Sequence, residues 1–364
     1  MKQAEQQTTQ YLTKIEGDNS KGYSLLIQRK SDDALIDIST LAGDIQHSTS
    51  LLDTPEKLTF FVQKDPNKIL DTIRNGDKVF FKYNGFGLFC GYVFTVGFDA
   101  TNVFKITAYS QTRYLKNETN LILNKQSKMT VSDIFVKFCK ENQFNNYAVK
   151  TPISYIPPAK VYQGATMYSI LSELMKKAQV NEWKTDKKTA TIYMIRDNYG
   201  VLELTSIDKL KTNLVIGAES LLSSYQFETS IDKGTYNKFK LTKKQKNDKL
   251  LTFEKQDTNS INAWGLLQKV VEIDENITEA QANEYGNNLL KAYCKETKSL
   301  SLSAIGLIGM NAGVGFSLNI PELGSIVDMY VIEATHRYSD KFHTMDLTVN
   351  ANDLEIYFKW WTAI

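Results

Sequence analysis

The sequence holds only three cysteines, Cys90, Cys139 and Cys294, far apart and odd in number. That excludes a disulfide framework, and their spacing matches no zinc site. Folding in a reducing cytoplasm is the expectation. An excess of one charge is also missing. The net charge is +2, without the basic surplus of a protein that lives by neutralising phosphates. No run approaches the ~18 consecutive apolar residues of a membrane-spanning helix. The first ten residues, MKQAEQQTTQ, are polar, so no secretory signal is expected there, and any exit from the cell is expected by a route such as lysis. Six prolines and few low-complexity runs argue against disorder.

Familiar catalytic signatures are absent as well. No serine sits in a Gly-x-Ser-x-Gly elbow, and no glycine-rich loop ends in Gly-Lys-Ser or Gly-Lys-Thr. Gly313 and Gly315 lack the third glycine of a dinucleotide fingerprint and run into strand-like residues. Turn geometry accounts for them.

What is present is β-forming material. The 19 tyrosines and 18 phenylalanines favour strands, and 364 residues suffice for two or three cores. After a polar extension over 1–22, short strands follow one another from Tyr23. Asn75-Gly76 and Asn84-Gly85 supply the positive φ of tight hairpins. This predicts a first β domain over 23–124, a barrel or sandwich. Over 125–212 the period changes. Thr130 with Asp133 reads as a capped helix start, and Val131, Ile134, Phe135, Phe138 and Cys139 recur at helical spacing. A second helix near Thr166–Ala178 and a hairpin around Asp197–Gly200 complete a small α/β insert. From 213 to 352 strands return as a second β domain with one helix, which Thr278 and Gln281 open as a capping box. The tail, 353–364, is apolar and carries Trp360 and Trp361. A long strand, an Asp-bearing turn and a returning strand occur both at Tyr92–Phe104 and at Tyr330–Phe342, a faint internal repeat. The expected class is therefore mainly β with an α/β insert, two β-barrel or sandwich domains separated by a small α/β domain.

Few residues are candidates for chemistry. His336 and His343 flank the Ser339-Asp340 turn with Glu333 and Asp340 nearby. A metal site needs three or four convergent ligands, and the plainer reading is two hydrogen-bonded hairpin residues. Glu272, Asp274 and Glu275 lie just ahead of a helix, where acidic groups stabilise the N-terminus without chemistry. Nothing singles out the pair of carboxyls a glycosidase needs. Lysines 238, 240, 243, 244, 246 and 249 form the densest charge cluster, with Tyr236 and Phe239 interleaved. It reads as a solvated hairpin tip that discourages edge pairing, or as a nucleic-acid patch. The tryptophan-bearing tail is costly to leave in water. It packs on its own domain or anchors another chain.

Tyr236–Lys240, Ala263–Gln268, Glu272–Glu275, the helix from Thr278, Gly306–Gly313, Ile320-Pro321, Tyr330–Ile332, Thr335-His336 and His343–Met345 follow in a specific order. That order resembles the baseplate hub family of contractile phage tails and tail-like bacteriocin particles, the late-control-D or tail-hub group. Ile195–Leu204 and the helix near Val131–Phe138 fit it too. No peptidoglycan-binding module is visible. The resemblance implies two tail-tube-like β domains per chain and a homotrimer that joins a six-fold tail tube to a three-fold central spike and forms part of the channel wall. It implies a structural protein and no enzyme, with neither cofactor nor metal. Its partners would be further copies of itself, tube, spike, baseplate wedge and tape-measure proteins, with transient passage of DNA and no membrane. Assembly would take place in the bacterial cytoplasm, followed by residence in an extracellular particle. Trp264, Gly265, Tyr330, His336, His343, Trp360 and Trp361 are the expected interface or structural residues, and Lys243, Lys244 and Lys246 mark the basic hairpin. The alternatives are a phage-associated cell-wall hydrolase and a nucleic-acid-binding protein using Lys238–Lys249.

Overall fold

The computed structural model describes residues 22–52, 54–63, 73–98, 103–144, 146–185, 191–217, 220–232, 234–244, 249–273, 277–323, 327–340 and 342–351. They are mainly β, as expected. Two compact units emerge. One holds the described residues up to Ser224 together with Leu302–Val349, and the other holds Tyr225–Ser301.

The first unit begins with β1 (Tyr23–Gln28), β2 (Leu35–Asp37), β3 (Ala42–Ser50), β4 (Lys57–Gln63), β5 (Lys78–Tyr83), β6 (Phe86–Phe98) and β7 (Val103–Tyr109). They pair antiparallel in the order β3-β4-β7-β6-β5-β1-β2. Alternation drives burial: in β4, Leu58, Phe60 and Val62 face the core while Thr59 and Phe61 face away. Asn84 and Gly85 both adopt positive φ, +47° and +81°, and close the β5–β6 hairpin as the dipeptide requires.

A 3-10 turn, Gln111–Lys116, leads into the insert: β8 (Glu118–Leu123), α1 (Val131–Glu141), β9 (Tyr147–Val149), β10 (Lys160–Thr166), α2 (Met167–Thr185), β11 (Tyr193–Asp197) and β12 (Leu202–Ser206). Thr130 caps α1 as expected, and Asp133 reaches back to complete a capping box. The insert has its own core, in which Val131, Ile134, Phe135, Phe138 and Cys139 of α1 meet Ile170, Leu171 and Leu174 of α2.

The chain crosses to the second unit through β13 (Lys211–Gly217) and β14 (Leu222–Ser230). There β15 (Lys238–Lys244), β16 (Leu250–Gln256), α3 (Thr258–Trp264), β17 (Gln268–Glu272) and α4 (Glu279–Tyr293) follow. The sheet order is β16-β15-β17. Phe239 and Leu241 are buried with Ala282, Leu289 and Tyr293 of α4. The Thr278–Gln281 capping box is present.

The chain returns through β18 (Thr297–Ile305), then β19 (Gly315–Asn319), β20 (Val327–Tyr338) and β21 (His343–Ala351). Here the architecture departs from the division at 124 and 212. Glu333–Tyr338 of β20 pairs antiparallel with Ile45–Ser50 of β3, so strands from the two ends of the chain form one continuous sheet. The 213–352 segment is not a compact unit by itself, because its last strands satisfy their backbone groups on the first β segment. The extension, 1–21, and the tail from Asn352 lie outside the described residues.

Close packing against backbone fixes particular glycines. A Cβ at Gly91 in β6 would lie 2.3 Å from the Tyr109 carbonyl oxygen, whereas one at Gly43 in β3 would meet nothing within 4 Å. Gly91→Ala is therefore expected to cost roughly 1–3 kcal/mol through overpacking and Gly43→Ala close to nothing. Urea midpoints of the two variants check this, and equal midpoints would contradict it.

Candidate functional site

The β3–β20 pairing places His47 directly opposite His336, their rings stacked at 6.3 Å. His336 Nε2 lies 3.0 Å from the Met310 carbonyl oxygen, and its Nδ1 lies 2.9 Å from His343 Nε2. A carbonyl only accepts, so Nε2 of His336 carries the proton, and Nδ1 accepts from His343 when both rings are neutral. The His343 ring stacks on Tyr338 at 4.3 Å. It fits because residue 306 is glycine: a Cβ there would sit 2.2 Å from the imidazole. Exposures are 1% for His47, 1% for His336 and 9% for His343. Burial pushes all three imidazoles down to about 4, so they are neutral near pH 7.

His47 Nε2 meets Glu56 Oε1 at 2.6 Å. Burial raises the Glu56 carboxyl to about 8, so the proton stays on the carboxyl and the pair is neutral on both sides. Beyond Glu56, Asp197 accepts from the Gly200 amide at 2.5 Å and from the Gln111 amide and side chain at 3.3 and 3.4 Å. Burial first, then Glu56, lifts it to about 7. Both carboxyls border a cavity of about 230 Å³ rimmed by Leu52, Phe86, Tyr168 and Ile308. Glu56 is spent on His47 and Ser110, and Asp197 closes its own turn and ties it to Gln111. Gly87 serves the same contact by receiving the Tyr199 ring, which a Cβ would meet at 2.7 Å.

Of the residues expected from sequence, His336 and His343 are brought together inside the first unit, Tyr330 lies further back on β20 opposite Gly315, and all three are buried. His336 and His343 bond to each other and share no metal-like arrangement. Among the described residues no group of three or more His, Cys, Asp or Glu could hold a metal ion. Trp264 is half-buried at the end of α3, and Gly265 ends that helix with φ +80°. In the basic hairpin Lys238 and Lys240 pair with Glu254 at 2.8 and 3.3 Å, Lys243 donates to the Ile277 carbonyl at 2.7 Å, and Lys244 is exposed. Lys246, Trp360 and Trp361 lie outside the described residues. Among the described residues no helix is long and apolar enough to cross a membrane. His47, Glu56 and Asp197 went unremarked as site residues; the sequence clue was a lone histidine in a polar stretch and an Asx-type turn before Gly200.

The outward features are strand edges. β14 ends the path of paired strands and is exposed along most of its length, with Tyr225 at 39% and Phe227 at 44%. Among the described residues β13 pairs with β19 alone and exposes Val215.

The YQBQ-like family model matches residues 45–350. Two curated relatives come from Bacillus subtilis (strain 168). YqbQ is 26% identical over 282 residues, 76% of this chain and 82% of that protein. The phage-like element PBSX protein XkdQ is 24% identical over 292 residues, 79% of this chain and 85% of that protein. A solved tail protein from Neisseria meningitidis MC58 superposes with a TM-score of 0.64 at 11% identity, covering 94% of this chain and 98% of that one.

Glu56 makes a pH prediction. Its folded value lies above the unfolded one, so the native state keeps a proton that the unfolded chain releases. This contribution is complete below pH 4.5 and is lost as pH rises to about 8. Glu56→Gln keeps a donor toward His47 and removes the loss. Its stability gain over the parent should widen from pH 6 to pH 9, by roughly a few kcal/mol, as melting temperatures would record. Parallel curves would contradict it.

Proposed function

The chain belongs to the YQBQ-like family and has the fold of a phage tail protein, and from this we propose that it is a structural component of a phage-type tail, acting as the baseplate hub. In this reading three copies close into a ring between the six-fold tail tube and the three-fold spike and form part of the channel wall. Tube, spike, wedge and tape-measure proteins are its neighbours, and DNA passes through in transit. The chain assembles in the bacterial cytoplasm and ends in an extracellular particle. It binds and does not turn over substrate.

One observation supports this best. Strands from both ends of a single chain run in one sheet that finishes at the exposed strand β14. Among the described residues no further strand pairs with β14 beyond β18, and such an edge presents a row of amides and carbonyls for pairing. Ring closure with further copies satisfies them and leaves no edge open. Tyr225 and Phe227 lie on one face of that strand, two residues apart, as anchors for the neighbour. The match of the relative XkdQ, a phage-like element protein, agrees with this setting.

The test is association. Light scattering of the purified protein, alone and with spike protein, is expected to give trimers in at least the second case. Tyr225→Lys with Phe227→Lys should leave a folded monomer whose trimerisation is weakened roughly tenfold or more. Monomers under both conditions, or unimpaired trimers in the double variant, would count against the hub reading.

A further inference from the structure

We propose that the β3–β20 pairing is an acid-released clasp: protonation of the histidines packed along it parts these two strands while the α/β insert stays folded. The inference stands on placement and holds whether or not the chain is a hub. β3 and β20 are where strands from the two ends of the chain meet. Ordinary strand pairs of this kind bury apolar side chains. Here the facing pair is His47 and His336, and the next imidazole, His343, is bonded to the second of them.

The groups around the cluster leave a charge nowhere to go. From β5 and β6 come Tyr83 and Phe89, from β20 Tyr338, and from the loop before β19 the Met310 carbonyl. The carboxyl in contact is Glu56, ahead of β4, which burial keeps protonated. Behind it stand Ser110, Arg196 and Asp197. The charged neighbours on β20 turn outward: Arg337 pairs with Asp346 of β21 at the exposed surface, and Glu333 accepts from Ser50 there. Asp340, in the turn after β20, acts on Tyr23. A first proton on the cluster is uncompensated, and a second meets the first across about the width of a ring stack.

The sign follows from linkage. All three imidazoles are held below their ordinary value of 6.5, near 4. The closed clasp binds fewer protons than the open one in that window, so closure weakens as pH falls from 6.5 towards 4. Glu56 works the other way, since the closed form holds its proton until about pH 8. Three histidines against one carboxyl leave a net uptake on opening near pH 5.5. A net uptake of more than one proton raises the opening constant by more than about tenfold per pH unit.

Hydrogen–deuterium exchange of the full chain, from pH 7.5 to pH 5.0 and corrected for the intrinsic exchange rate, reads this directly. Peptides from β3 and β20 should open more than about tenfold further per pH unit between pH 6 and pH 5, with α1 unchanged. His336→Gln should lower that slope by about one proton, a factor of about ten per unit. Should that variant not fold, Ser48→Cys with Thr335→Cys provides a second arm. These two residues face each other, with their hydroxyls 3.2 Å apart, and an oxidised bridge there should keep β3 and β20 protected at pH 5. Exchange in β3 and β20 that is independent of pH, that rises in step with α1, or that persists in the bridged variant would overturn the clasp.

Discussion

The structure depends on one antiparallel pairing, six residues long, between Ile45–Ser50 and Glu333–Tyr338. Without it β3 has one neighbour, β4, and the strands β19, β20 and β21 lose the sheet that joins them to the first β segment. The two segments lie far apart in sequence, so the pairing carries a large closure entropy that its backbone bonds and side-chain contacts offset. The pairing is made with polar side chains. Ser48 meets Thr335, the Thr49 hydroxyl oxygen accepts from the Ala312 amide, and the histidines fill the inward positions.

Burying that many polar groups is tolerable because each finds a partner in a neutral form. The imidazoles pass hydrogen bonds to one another and to a carbonyl, and the carboxyl beside them keeps its proton. The same chain of contacts continues through Ser110 and Gln111 to Asp197 and Gly200, which seats the insert. Among the described residues the Tyr199 hydroxyl is the buried side-chain atom that finds no such partner. Its ring nonetheless packs flat on Gly87. Polar contacts and the close approach of the Tyr199 ring to Gly87 both contribute to this junction.

The parts of the fold that were legible in the sequence carry local signals. Asn84-Gly85 specifies its hairpin, Thr130 and Thr278 specify their helix starts, and the alternation of Leu58, Phe60 and Val62 specifies β4. What was not legible depends on tertiary pairing. β3 reads Ala-Gly-Asp-Ile-Gln-His-Ser-Thr-Ser, polar and with a bulge at Gly43, and it becomes a strand because partners cover both its edges. β13, paired with β19, likewise carries no strong local strand signal. The site shows the same divide. His336 and His343 stood out by their spacing about a turn, but nothing local says that His47, some 290 residues earlier, completes the cluster. Nor did the lysine run reveal that Glu254 answers two of its members.

A sheet that unites both ends of one chain and stops at an exposed strand is suited to repetition around an axis. In the proposed hub, the β14 edge would be where one copy meets the next. Electron cryomicroscopy of the protein assembled with spike and tube proteins tests it most directly. The account predicts a threefold ring in which strand density continues across the copy boundary along Leu222–Ser230. A reconstruction with that strand facing solvent, or with one or six copies at the junction, would contradict it.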